Sequence, residues 1–237
     1  MNFRIATLLA ATVAASAIAF GASAEEAPSG PKFSFNFGVA NDYVFRGVSQ
    51  TDKGLQGFGG LDVTYGAVYA GVWTSNVDFS PFGDTKTSQE VDVYGGWRPS
   101  AGGFNFDVGA IYYGYINTPS APFADVPYWE FYGKGTRAFG PVTLGASLYY
   151  SPNFTGETGD AWYYEGNAAY TIDKLTFSGA FGHQDIEKVP GYNTWNLGAT
   201  YGFTPNISLD VRYHDTDEHG FGKVYGSKGV ATLKFTF

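Results

Sequence analysis

Apolar and polar residues alternate one by one along most of this chain. The last nine residues show it most cleanly, with Gly229, Ala231, Leu233, Phe235 and Phe237 alternating with Val230, Thr232, Lys234 and Thr236. Side chains on a strand change face at every residue, so this segment has an apolar face ending in a terminal Phe and an opposite, mostly polar face. Near the front, Phe33, Phe35, Phe37 and Val39 alternate in the same way with Ser34, Asn36, Gly38 and Ala40. A final strand left unpaired would be an exposed edge, and zipping it to the first strand closes the sheet into a barrel.

The same period predicts twelve strands, over residues 33–45, 55–65, 67–77, 88–97, 104–115, 128–137, 142–150, 161–170, 175–183, 192–201, 207–214 and 226–237. The connections after odd-numbered strands are long and turn-rich: 46–54, 78–87, 116–127, 151–160, 184–191 and 215–225. Those after even-numbered strands are short: 66, 98–103, 138–141, 171–174 and 202–206. Long loops at one end and tight turns at the other are the habit of outer-membrane barrels, in which the short turns and both termini lie in the periplasm. The expected fold is therefore all-β, a closed antiparallel transmembrane β-barrel of about 12 strands in an up-and-down meander over residues 33–237.

A soluble barrel also alternates, but with its apolar face inward. Three features favour the inverted arrangement. Most predicted strands are long enough to cross a bilayer at a tilt. Aromatic residues gather near strand ends, as interface girdles require, with Trp73, Trp129, Trp162 and Trp195 near the long loops and Tyr65, Trp97, Tyr170, Tyr201 and Phe203 near the short turns. The terminal Phe resembles the C-terminal sorting pattern through which the outer-membrane barrel assembly machinery takes hold of its clients.

Residues 1–24 carry one cation, Arg4, an apolar run to Phe20, and Ala22-Ser23-Ala24 before two glutamates. That is a secretory signal, with cleavage expected after Ala24. Residues 25–32, holding Pro28, Gly30 and Pro31, follow as a flexible lead-in. The mature chain has no apolar run long enough for a spanning helix.

Composition narrows the partners. The formal charge is −8, and nucleic acid is excluded as a partner because phosphate recognition relies on clustered Lys and Arg. The chain has no Cys, which removes disulfides and thiolate metal sites. Aromatics make up 19% of residues while mean hydropathy is only −0.15, as expected where lipid-facing and lumen-facing residues alternate.

The run Asn41-Asp42-Tyr43-Val44-Phe45-Arg46-Gly47-Val48-Ser49-Gln50-Thr51-Asp52 resembles the opening motif of the TorF-type porins, a proteobacterial family of unknown function. Ala70-Gly71-Val72-Trp73, Ser75 to Phe79, Glu90 to Trp97, Tyr112-Tyr113 and Tyr149 to Pro152 extend the likeness over most of the mature chain. The resemblance implies an outer-membrane barrel of porin type. It brings no catalytic residue, cofactor or assigned solute.

Parity on the predicted strands directs eight acids inward: Asp42, Asp62, Glu90, Asp92, Asp107, Glu130, Glu165 and Asp210. Five bases, Arg46, Lys134, Arg212, Lys228 and Lys234, share those faces, leaving a negative excess. Unpaired charge in a dry interior costs several kcal/mol or more, so the lumen is expected to be wet or laced with salt bridges. Asp42 and Arg46, four apart on one expected strand, would stand about 13 Å apart and so need partners elsewhere. They read either as wall residues in a structural network or as the lining of a solute filter. The function expected is passive passage of small hydrophilic solutes through a narrow, cation-preferring lumen; the alternative is a non-conducting structural or adhesive barrel.

Catalysis is the competing class. Only His183, His214 and His219 are available, and the run His214-Asp215 with Asp217-Glu218-His219 could imitate a catalytic or metal cluster, though a polar loop tip is more often merely solvated. Asn76, Asp78 and Asp84 could offer oxygens to calcium but match no fixed loop spacing. No enzyme, metal or cofactor is expected.

Overall fold

The computed structural model of the chain describes residues 30–118 and 127–237. The expected signal segment, residues 25–29 of the expected lead-in and residues 119–126 of the expected third long connection lie outside the described residues.

Twelve antiparallel strands close into a barrel in meander order. They are β1 (Lys32–Ala40), β2 (Gln56–Tyr65), β3 (Val68–Asn76), β4 (Gln89–Trp97), β5 (Phe104–Ile116), β6 (Tyr128–Phe139), β7 (Val142–Ser151), β8 (Ala161–Ile172), β9 (Leu175–Ile186), β10 (Val189–Thr204), β11 (Ile207–Thr216) and β12 (Lys228–Thr236). Each pairs with the next, and β1 pairs with β12 to complete the ring.

The seam shows why the two end patterns match. Phe37 stands opposite Phe235, and Val39 opposite Leu233. Phe35 and Phe237 exchange both backbone hydrogen bonds at 2.9 Å. The Phe35–Phe237 and Phe37–Phe235 rings stack at 5.0 Å on the outer face. Closure leaves neither end strand as a free edge.

The faces are sorted in the sense opposite to a water-soluble barrel. Phe33 is 70% exposed on the outside, whereas Asp92 on the inner wall is 0% exposed. Along β5, Phe104, Phe106 and Val108 look out while Asp107, Ile111 and Tyr113 are buried within. Trp97, Trp129, Trp162, Tyr65, Tyr170, Tyr201 and Phe203 are exposed near the strand ends, as girdle positions require.

Three expectations are corrected. The first strand ends at Ala40 rather than Phe45, because the Asn41 side chain takes over the ladder. Its amide donates to the Gly229 carbonyl at 3.0 Å and its oxygen accepts from the Ala231 amide at 2.6 Å. The expected long loop at 184–191 is a turn of only two residues, Glu187 and Lys188, since β9 and β10 extend beyond the rim as a hairpin. Outside the bilayer zone such a hairpin needs no alternating apolar face, so Gln184-Asp185 and Lys188 concealed it. Trp73 is buried inside and not in the girdle: it meets Tyr43 edge-on at 5.5 Å and Phe58 at 6.2 Å.

Candidate functional site

After Ala40 the chain folds into the barrel instead of climbing away from it. Val44–Phe45 pairs with Val48–Ser49 as a miniature hairpin, turned by Arg46 and Gly47 at φ +47° and +81°. Asp42 and Arg46 are thus inside, but on this inserted loop and not on β1. Asp42 accepts from the hydroxyls of Ser49 at 2.6 Å and Thr51 at 3.0 Å. A Cβ on Gly47 would collide with Thr194 of β10, so the hairpin tip approaches the far wall closely.

Arg46 is the centre of the plug. Its two terminal nitrogens meet the two oxygens of Glu130 on β6 at 2.8 Å each, and one also reaches Gln184 on β9 at 2.9 Å. The side chains of this pair are 4% and 2% exposed. Tyr113 adds a hydroxyl to Glu130 at 3.1 Å, and the guanidinium stacks on Tyr163 at 4.4 Å and Tyr149 at 4.8 Å. A bidentate pair held by ring faces fixes the loop against β6 and β9.

Four of the other inward acids accept from phenols, and three of them, Asp62, Glu90 and Glu165, bond no base. Tyr43 donates to Glu90 at 3.0 Å, Tyr94 to Asp62 at 2.7 Å, Tyr69 to Asp107 at 2.6 Å and Tyr163 to Glu165 at 2.7 Å. The Tyr94–Asp62 bond crosses β3, and Gly71 makes the crossing possible. It stands level with both residues, and a Cβ there would lie 2.6 Å from the phenol ring. Gly109 is covered by the Tyr132 ring in the same way, and the Tyr132 hydroxyl touches that of Tyr69. These rings crowd the β2–β6 side of the interior into a core containing Tyr43, Tyr69, Trp73, Tyr94, Tyr113, Tyr128 and Tyr132.

The opposite wall carries smaller polar groups. Arg212 bonds Asp210 at 2.9 and 3.1 Å, Ser178 at 2.9 Å and Asn196 at 2.7 Å. Lys134 faces in beside Asp107, with its ammonium over the Tyr132 ring at 4.6 Å. Lys228 donates to the Gly47 and Val224 carbonyls at 2.6 and 2.8 Å, pinning the hairpin from beneath. Lys234 shares the inner face of β12. Asp92 stands beside Glu90 on β4: fully buried, it bonds no phenol and no base.

Two kinds of participant escape a sequence reading restricted to charged residues on strands. Arg98, in a short turn, reaches in to Asp107 at 3.3 Å and lies over Tyr69 at 3.6 Å. It brings the inward bases to six against eight acids. The phenols share the inward parity of acids on their own strands, as Tyr163 does with Glu165, which it serves, and Tyr94 with Asp92, although it serves Asp62, and that parity is the signal that could have found them.

Above the plug, at the long-loop end, lies a cavity of about 480 Å³. Its rings come from the plug (Phe45), from β5 and β6 (Tyr113, Tyr115, Tyr128) and from the loops (Phe79, Phe82, Phe154). Glu90 and Asp84 also line it. In the loop after β3, burial works against ionisation of Asp84, but hydrogen bonds from Thr87 and Lys86 outweigh it and hold the carboxyl below its ordinary value.

The catalytic and calcium candidates do not converge. His214 is on the inner face of β11, His219 bonds Asp215 at 2.7 Å, and His183 bonds Asn193 at 2.8 Å. Asp217 caps the Asn193 amide at 2.7 Å. Asn76 bridges to Gly57 and Leu55, Asp78 caps Ser80, and Asp84 caps Lys86 and Thr87. Among the described residues no three His or acidic side chains form a metal-holding group.

The fold has solved counterparts. A KdgM porin superposes with a TM-score of 0.60 at 11% identity, covering 86% of this chain and 99% of that one. A KdgM porin in complex with disordered oligogalacturonate gives 0.58 at 10%, covering 86% and 98%. A NanC porin gives 0.54 at 13%, covering 87% and 99%. At these identities the likeness is one of fold. No curated protein matches the chain in sequence. The model of the family Gcw_chp, described as a bacterial protein of unknown function, matches residues 24–236, and the chain belongs to that family.

Proposed function

We propose that this chain is an outer-membrane channel of porin type for small hydrophilic solutes, with a constricted lumen that prefers cations. The observation that carries this reading is the inversion of faces: a closed barrel with Phe, Leu and Val outside and some fourteen ionisable groups inside. Such an interior is stable only if hydrated or internally paired. Eight acids against six bases support a cation preference. The resemblance of residues 41–52 to the TorF-type porin motif supports the porin reading. Both termini and the short turns are assigned to the periplasm, and the long loops to the outside. Assembly is assigned to the outer-membrane barrel machinery acting through the terminal strand.

The test is conductance of the refolded protein in planar bilayers, with reversal potentials across a salt gradient. Discrete openings with a cation-selective reversal potential are expected. Clear anion selectivity would refute the assignment of charge to the pathway.

A second reading is supported by the buried Arg46–Glu130 pair and the aromatic packing around it, which obstruct much of the interior. On that reading the barrel is a non-conducting structural or adhesive element. Correctly folded protein that never opens in the same bilayers would favour it.

A further inference from the structure

We propose that the cavity above the plug binds a small organic cation with an apolar body, of the alkyl- or arylammonium class. The inference rests on the outward orientation of the long loops given above, and it names the kind of solute the channel would collect. The cavity is lined largely by aromatic rings, and such rings attract a positive charge through the negative quadrupole of their faces. The rings are already fixed in place. Tyr128 stacks on Tyr113 at 4.5 Å, Phe154 meets Tyr128 edge-on at 4.7 Å, and Phe79 packs against Tyr115 at 5.6 Å. A ligand entering here therefore does not have to order its own container.

Charge selects among the ligands that such rings would tolerate. Two carboxylates, Glu90 and Asp84, line the cavity, and no Lys, Arg or His is among its described lining residues. One oxygen of Asp84 is buried and without a partner. The guanidinium of Arg46 does not offset these charges, since Glu130 already engages it. An anionic saccharide of the sort held in the KdgM complex would meet carboxylates here without a base to balance them. A neutral sugar would bring no charge for Glu90 and Asp84 to attract.

Titration calorimetry of the refolded full chain in non-ionic detergent tests this with benzyltrimethylammonium, benzenesulfonate and maltose as probes. Saturable binding of the ammonium alone is expected, weakened about tenfold by Glu90→Gln and by Asp84→Asn, an effect of the size reported for desolvated cation–π and charge contacts. The Asp84 variant lies in a loop outside the strands and guards against a folding defect in the other. Equal binding of benzenesulfonate or maltose, or unchanged affinity in both variants, overturns the proposal. Conductance of the same preparation separates the two readings. Binding without conduction removes the channel and leaves the site, whereas conduction without binding removes the site and leaves the channel.

Discussion

Replacing Arg46 with Ala tests the plug directly. The substitution removes two bonds of 2.8 Å to Glu130 and one of 2.9 Å to Gln184. It also leaves a carboxylate with 2% side-chain exposure facing only the Tyr113 hydroxyl. Breaking a buried pair from one side costs about 3–5 kcal/mol, because the surviving charge stays desolvated. That corresponds to a drop of roughly two to three and a half powers of ten in the folding constant, at about 1.4 kcal/mol per decade. Removing both partners, as in Arg46→Ala with Glu130→Leu, abolishes the orphan charge and should recover much of the loss. Urea unfolding in phospholipid vesicles, followed by tryptophan fluorescence and by gel mobility of unheated samples, measures all four corners of the cycle. The tip of the hairpin is released in the single variant, so its conductance should rise as its stability falls. A cost below about 1 kcal/mol, typical of exposed ion pairs, would show that water already reaches the pair and that the loop is not a plug.

Gly71→Ala puts a carbon 2.6 Å from the Tyr94 ring and should destabilise by about 1–3 kcal/mol in the same urea assay, with recovery when combined with Tyr94→Leu. Asp92→Asn replaces a fully buried carboxyl that bonds no phenol and no base, so stability should be unchanged or higher in the same urea assay. A clear loss of stability there would mean that Asp92 has a partner of consequence. Phe237→Ala deletes a ring stacked at 5.0 Å on Phe35 and should cost about 0.5–1.5 kcal/mol, together with slower folding into vesicles. Unchanged kinetics would separate the seam from assembly.

The barrel was legible because a period-two pattern is a local property. Phe33, Phe35 and Phe37 announce their face whatever stands beside them, and the terminal run does the same. What remained hidden depends on register. Nothing in residues 88–97 says that Tyr94 will lie across β3 above Gly71 to meet Asp62, because that contact needs three strands aligned. The plug was hidden for a different reason. Tyr43 and Phe45 continue the outward alternation of β1 by parity, and the Asn41 side chain, by capping the ladder, lets them turn inward. Asp42 and Arg46 were placed inside on the strength of a strand that stops before reaching them. Arg98 shows the limit of parity altogether, since a turn residue has no assigned face and its guanidinium finds the lumen by length.

The use of tyrosine where a base would serve also bears on selectivity. A salt bridge satisfies a carboxylate and cancels its charge, whereas a phenol satisfies it and leaves the charge in place. Glu130, Asp107 and Asp210 each touch a guanidinium and contribute little to the field along the interior. Glu90, Asp62 and Glu165 are held by Tyr43, Tyr94 and Tyr163, and they keep whatever negative charge they carry. A sequence count of acids against bases treats these two groups alike and so misplaces the source of any cation preference. The preference should respond strongly to Glu90 and Asp62 and weakly to Asp107 and Glu130, although the latter contribute more to holding the wall together.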